Sequence, residues 1–182
     1  NTSMQAYFSK DAQVAYNPFT SQIELYTNRT QLEKGGDPRQ VFGEATLLHE
    51  IVHATAVTKI PPRLSAANQN LTGGKYLSKV DEFIADAGTD KNVKSILTAY
   101  RTALDNMPTK HANIINHFND PEAYIKKYGA KELDEWYGMT NVDEFISEAM
   151  TNPVFQRFLK GIPSENNKNL WQTIMDSLKD FL

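Results

Sequence analysis

Two proline-marked ends frame the segment that most restricts how this chain can fold. Asp37 followed by Pro38 is an N-cap with proline at the first helical position, and Pro61-Pro62 cannot continue a helix. Between them Val41, Ala45, Leu48, Val52 and Ala56 recur at spacings of three and four, the period of one apolar helix face. The pattern predicts a helix over residues 38–58 that must lay this stripe against the rest of the domain. On the border of the stripe, beside Leu48 and Val52, stands "HEIVH", with His49, Glu50 and His53.

Residues four apart on a helix differ by about 40° around the axis and about 6 Å along it. His49 and His53 therefore project the same way from adjacent turns and can reach one ion. Glu50 is turned by about 100°, out of line for coordination but near enough to touch a water on that ion, which is the place of a general base. A position partly shielded by the apolar stripe also allows ordered groups around the ligands. Three polar residues on an amphipathic flank would have the same spacing, so the decision rests on whether the chain supplies a third ligand.

Composition narrows that search. There is no cysteine, which removes disulfides, thiol nucleophiles and thiolate metal sites and leaves only histidine and carboxylate as ligands. With 182 residues, 40% of them apolar, one domain spanning 1–182 is expected, and a start without Met suggests a segment cut from a longer polypeptide. A net charge of -3 with basic and acidic residues intermixed gives no footprint for nucleic acid. No apolar run has the length of a membrane span, and the first residues do not form a signal peptide. Compartment and oligomeric state stay open.

Along the chain "VAYN" (14–17) and "QIELYT" (22–27) flank "PFTS" as a hairpin, and helical patterns follow at 76–87, 92–105, from "PEAYIKKYG" at 121, at 141–159 and from 167. In the last of these Leu170, Trp171, Ile174, Met175, Leu178 and Phe181 form one core-facing stripe. A Gly and a third His at the spacing known from three-histidine zinc sites are absent, since Ala56 and Lys59 hold those places. His111 and His117 are six apart, on different sides of any helix, and are assigned to the surface or a substrate cleft. A carboxylate is the expected third ligand. Two echoed segments offer one, "VDEFIADA" with Glu82 and Asp86, and "VDEFISEA" with Glu144 and Glu148, each with a second carboxylate one turn after the first. Asn141 and Glu144 also have capping-box spacing, and Thr140 with Asp143 offers the same cap one residue earlier. Local pattern leaves both segments open.

"WYGMTNVDEFISEAM" (136–150) resembles a stretch of the anthrax lethal factor protease class, and of metallopeptidase-like domains in large phage and mobile-element proteins. There Tyr-Gly-x-Thr-Asn precedes Glu-Phe-x-x-Glu-Ala, and the match runs on into "TNPVFQRFLKGI"; "HEIVHATAVT" is the other matching block. These proteins are gluzincins, named for a glutamate zinc ligand. The resemblance implies Glu144 as that ligand, Glu148 as a carboxylate supporting the site, and Tyr137 as the acid. "GGKYLSKV" before Glu82 has a Tyr but no Gly-x-Thr-Asn, which favours Glu144.

The fold expected on this basis is α+β, predominantly helical and zincin-like, with a small N-terminal antiparallel sheet, the His helix and a downstream Glu-bearing helix. The function expected is a zinc-dependent endopeptidase, in which Glu50 is general base to a metal-activated water and Tyr137 stabilises the oxyanion. Its partner would be an extended peptide or protein segment along an edge strand. Two alternatives are a non-catalytic virion or interaction module with a structural zinc site, and a zinc hydrolase of a non-peptide amide. Glu50 argues against the first, since a structural site needs no base.

Overall fold

The structure, a computed structural model, describes residues 14–17, 22–25, 44–56, 59–61, 64, 73–109, 114–117 and 121–179. Among these the helices are α1 (Glu44–Ala56), α2 (Gly73–Ala85), α3 (Lys91–Asp105), α4 (Pro121–Tyr128), α5 (Ala130–Trp136), α6 (Val142–Thr151), α7 (Pro153–Lys160) and α8 (Leu170–Lys179). Short 3₁₀ turns lie at Ile114–His117 and Tyr137–Met139.

The α+β expectation is overturned: the class is helical. Among the described residues only two four-residue strands pair, β1 (Val14–Asn17) antiparallel with β2 (Gln22–Leu25), Val14 opposite Leu25 and Asn17 opposite Gln22. Two short strands offer no face broad enough to carry a core. Among the described residues the zincin-like N-terminal sheet is therefore not seen as a layer, and the core is built by helices. The "PFTS" turn, Tyr26, Thr27, the Asp37-Pro38 start of the His helix and Phe181 lie outside the described residues.

Helix α6 is the centre of the packing. It lies against α1, α3, α7, α8 and the turn at Tyr137–Met139. Val142, Phe145, Ile146 and Ala149 are buried on it together with Asp143, Glu144 and Ser147, so polar as well as apolar sides face protein. Tyr100 from α3 meets Phe145 edge to face, with ring centroids 5.3 Å apart, and Phe145 meets Phe155 of α7 at 5.8 Å. Leu170, Ile174 and Leu178 of α8 are buried as the stripe predicts, and the Trp171 indole N–H donates to the Ala149 carbonyl at 2.9 Å.

The helix read over 141–159 comes out as two, and the one from 121 ends where its glycine stands, each for a local reason. The segment 141–159 is broken at Asn152, because a residue before proline is driven out of the helical region. Asn152 is extended (φ -100, ψ 108), closing α6 with its N–H on the Glu148 carbonyl and opening α7 with its side chain on the N–H groups of Val154 and Phe155. After Tyr128, Gly129 adopts φ 96, a left-handed conformation open to glycine, and separates α4 from α5.

Another glycine is required by space. A Cβ on Gly138 would stand 2.8 Å from the Glu148 Cβ and from Phe155 Cε1, well inside van der Waals contact. Its absence lets the turn carrying Tyr137 lie directly on α6 and α7. Gly138→Ala is expected to lower stability by about 1–3 kcal/mol, as overpacking does in tight cores. Urea unfolding of the two proteins measures it, and an unchanged midpoint would show that the turn can back away freely.

Candidate metal centre

Helix α1 presents His49 and His53 on one side toward α6, and α6 answers with Glu144 from its first turn. All three side chains are buried. His53 Nε2 lies 3.0 Å from His49 Nε2 and 3.2 Å from Glu144 Oε2, and His49 Nε2 lies 3.3 Å from the same oxygen. A single proton between these atoms can serve only one of the three contacts. A cation with open valences toward all of them satisfies the triangle, and the three residues form a group that could hold a metal ion.

The spacing fits such an ion. Tetrahedral bonds of roughly 2.0–2.1 Å put ligand atoms about 3.3 Å from one another. The three edges measured here, 3.0, 3.2 and 3.3 Å, are close to that value. Two imidazole nitrogens and one carboxylate oxygen leave one corner of a tetrahedron for another ligand.

Groups around the triangle hold its members in place. On the far side of the His49 ring, Nδ1 lies 3.5 Å from Glu148 Oε1 and 3.4 Å from Thr151 Oγ1. A proton on Nδ1 has both as acceptors, which leaves the Nε2 lone pair for the centre. Glu148 is fixed in turn by Asn152, whose Nδ2 donates to Glu148 Oε2 at 2.6 Å. Ser147 donates to the His49 carbonyl at 3.5 Å, and Thr151 donates to the Ser147 carbonyl at 2.7 Å. From the 3₁₀ turn, Tyr137 donates its hydroxyl to Glu144 Oε1 at 3.3 Å.

The electrostatics follow from this burial. Burial by itself would lower the pKa of His53, but the Glu144 carboxylate outweighs it, with help from Asp143 and Glu50, and lifts it to about 9. Burial works to raise the Glu144 value, yet His53 and the hydrogen bonds from both rings hold it far below the usual carboxylate range. Tyr137 is pushed well above 10, first by burial and then by Glu144. Glu148 is raised by burial, partly offset by the Asn152 hydrogen bond. Without an ion, His53 and Glu144 thus form a buried charge pair at neutral pH.

Glu82 stands apart from this cluster. It is exposed on α2 and paired with Lys79, and Asp86 accepts from the Gly88 N–H and the Thr89 hydroxyl in a surface turn. His111 lies outside the described residues; His117 ends a 3₁₀ turn, and its side chain is outside the description. The cap of α6 is Asn141, accepting from the Glu144 N–H at 3.0 Å, and not Thr140, whose hydroxyl donates to the Tyr137 carbonyl. Glu144 therefore sits at the capping-box position while its carboxylate is spent on the imidazoles. Sequence reasoning did not single out Asn152, Thr151 or Ser147. The single helix expected over 141–159 passed over the Asn152-Pro153 pair, and nothing in the spacing said that this Asn would hold Glu148.

No family model, no curated protein and no solved structure matches the chain. Among the described residues no helix is long and apolar enough to cross a membrane.

Glu144→Ala is expected to abolish stoichiometric metal uptake while Glu82→Ala leaves it intact, as read by elemental analysis after dialysis against zinc. The His53 value raised from 6.5 to about 9 gives the metal-free protein stability that is complete below pH 6.5 and is lost as pH rises through 9. Because the same proton must leave before an ion enters, apparent metal affinity should climb over that interval. Thermal melts of the metal-free protein and chelator-competed titrations from pH 6 to 9.5 test both slopes; flat profiles would remove the His53–Glu144 pair as their source.

Proposed function

We propose that this chain is a zinc-dependent endopeptidase of the gluzincin kind, hydrolysing peptide bonds with Glu50 as general base and Tyr137 as the donor to the developing oxyanion. The observation that carries the reading is a phenol, Tyr137, hydrogen-bonded to Glu144, with a buried carboxylate, Glu50, beside His49 in α1. Glu50 follows His49 directly in α1 and is only 2% exposed. Its charge acts on both His53 and Tyr137. The likeness of "HEIVHATAVT" and "WYGMTNVDEFISEAM" to that protease class supports the same assignment.

His49, His53 and Glu144 would hold the ion, a His₂Glu set common to catalytic zinc. When bound there, zinc supplies Lewis acidity toward water and toward a carbonyl oxygen. The remaining work belongs to the side chains. Glu50 accepts a proton from the attacking water on its carboxylate and returns it to the departing amide nitrogen. Tyr137 stays protonated at neutral pH, so its O–H can leave Glu144 and donate to the carbonyl oxygen as negative charge gathers on it. Glu148 and Thr151 keep the His49 ring oriented throughout. The hydroxyls of Ser147 and Thr151 are committed to backbone carbonyls, and there is no cysteine, which favours direct hydrolysis over a covalent intermediate. An extended peptide or protein segment is the proposed substrate.

Glu50→Gln is expected to reduce turnover of casein or a degenerate peptide library by about 10³-fold or more, with metal content and melting temperature near wild type. Tyr137→Phe should lower kcat by about 10²-fold, the scale of one lost oxyanion donor, and leave KM nearly unchanged. Equal processing by wild type and Glu50→Gln would retire the enzyme reading in favour of a structural zinc site. Turnover of small amides but not of peptides would move the activity to a non-peptide amide.

A further inference from the structure

Tyr76 lies on α2, remote in sequence from both His53 and Glu144, and it is buried. Its hydroxyl joins Leu64, in the chain after the His helix, to the start of the Glu helix. Oη donates to the Leu64 carbonyl at 3.1 Å and accepts from the Val142 N–H at 2.9 Å. Leu64 belongs to the segment that follows the His helix, where Ile60 and Leu64 are both buried. Val142 is the first residue of α6, two before Glu144. Its N–H is a first-turn donor with no partner inside the helix, and Asn141 spends its side-chain oxygen on Glu144 N–H.

A second phenol works beside the first. Tyr100 of α3 donates to the Met139 carbonyl at 3.0 Å. The two tyrosine rings meet edge to face with centroids 6.3 Å apart, so each limits the rotation of the other. Met139 and Val142 bracket the Thr140–Asn141 cap, which separates Tyr137 from Glu144. Backbone bonds from two phenols thus hold both ends of the short link that sets where the acid and the carboxylate ligand stand.

We infer that the Tyr76 hydroxyl, assisted by that of Tyr100, is a positioning group for the metal centre, tying the chain after the His helix to the start of the Glu helix; this rests on the metal-site reading above. Phenylalanine at 76 fills the same ring volume but leaves a buried N–H and a buried carbonyl without their shared partner. The response expected is a shift of the Val142–Glu144 turn. Sites of this kind tolerate displacements of only about 0.5 Å.

The test is binding, not activity. Zn²⁺ affinity is measured by competition with a chromophoric chelator at a temperature where every variant is folded, and the visible spectrum of the Co²⁺-loaded protein is recorded beside it. Tyr76→Phe should weaken Zn²⁺ binding by about tenfold or more, the usual effect of losing an orienting group, and should shift the Co²⁺ bands. Ser177→Ala is the control, since it removes a buried hydroxyl bond to Ser95 of 2.7 Å that joins α8 to α3 and touches neither half of the centre. It should cost stability and leave affinity and spectrum alone. Wild-type affinity and an unshifted spectrum in Tyr76→Phe would overturn the inference. If that variant does not fold, Tyr100→Phe is read in its place, with about tenfold weakening expected and unchanged binding overturning it. A wild type that takes up no Zn²⁺ removes the centre itself, an outcome distinct from one in which wild type and variants bind alike.

Discussion

A carboxylate taken out of water between two imidazoles is stable only while the three remain together, because a buried charge stripped of its partner costs about 3–5 kcal/mol. Glu144, His49 and His53 are in that position. The packing of α1 on α6 is thereby held to one register, since sliding either helix by a turn would leave a charge facing hydrocarbon. Much of the neighbouring structure serves this contact. Asn141 starts α6 in the right place, Gly138 lets the Tyr137 turn approach, and Asn152 ends the helix where its side chain can hold Glu148.

The facing imidazoles of the His helix were legible because helical spacing alone dictates that His49 and His53 share a face. Glu144 was harder. "VDEFI" occurs at 80–84 and again at 142–146, and the two copies sit in opposite surroundings. In α2 only Val80 of the five is buried, while in α6 all five are. Local sequence is identical; what differs is how many helices pack around it. The Tyr-Gly-x-Thr-Asn stretch before the second copy carried the distinction, and its Gly has a steric reason in the fold.

What was not legible has a common origin in contacts between residues far apart in the chain. β-Branched and aromatic residues at 14–17 and 22–27 suggested a sheet able to define the class, yet strand pattern says nothing of how many partners a strand finds, and among the described residues the helices supply the core. The break at Asn152 was missed in the helix read over 141–159, and its hydrogen bond to Glu148 leaves no local pattern. Tyr76 stood out only as the tyrosine before Glu82; its bonds to Leu64 and Val142 span 12 and 66 residues and leave no local trace.

The two imidazoles and the carboxylate they face are separated by 91 residues between His53 and Glu144. A chain emerging from the ribosome exposes both histidines long before the third donor exists. Until translation has passed α6, the group that could hold a metal ion lacks its carboxylate. Chain order alone thus places completion of the group that could hold a metal ion after α6 has been made.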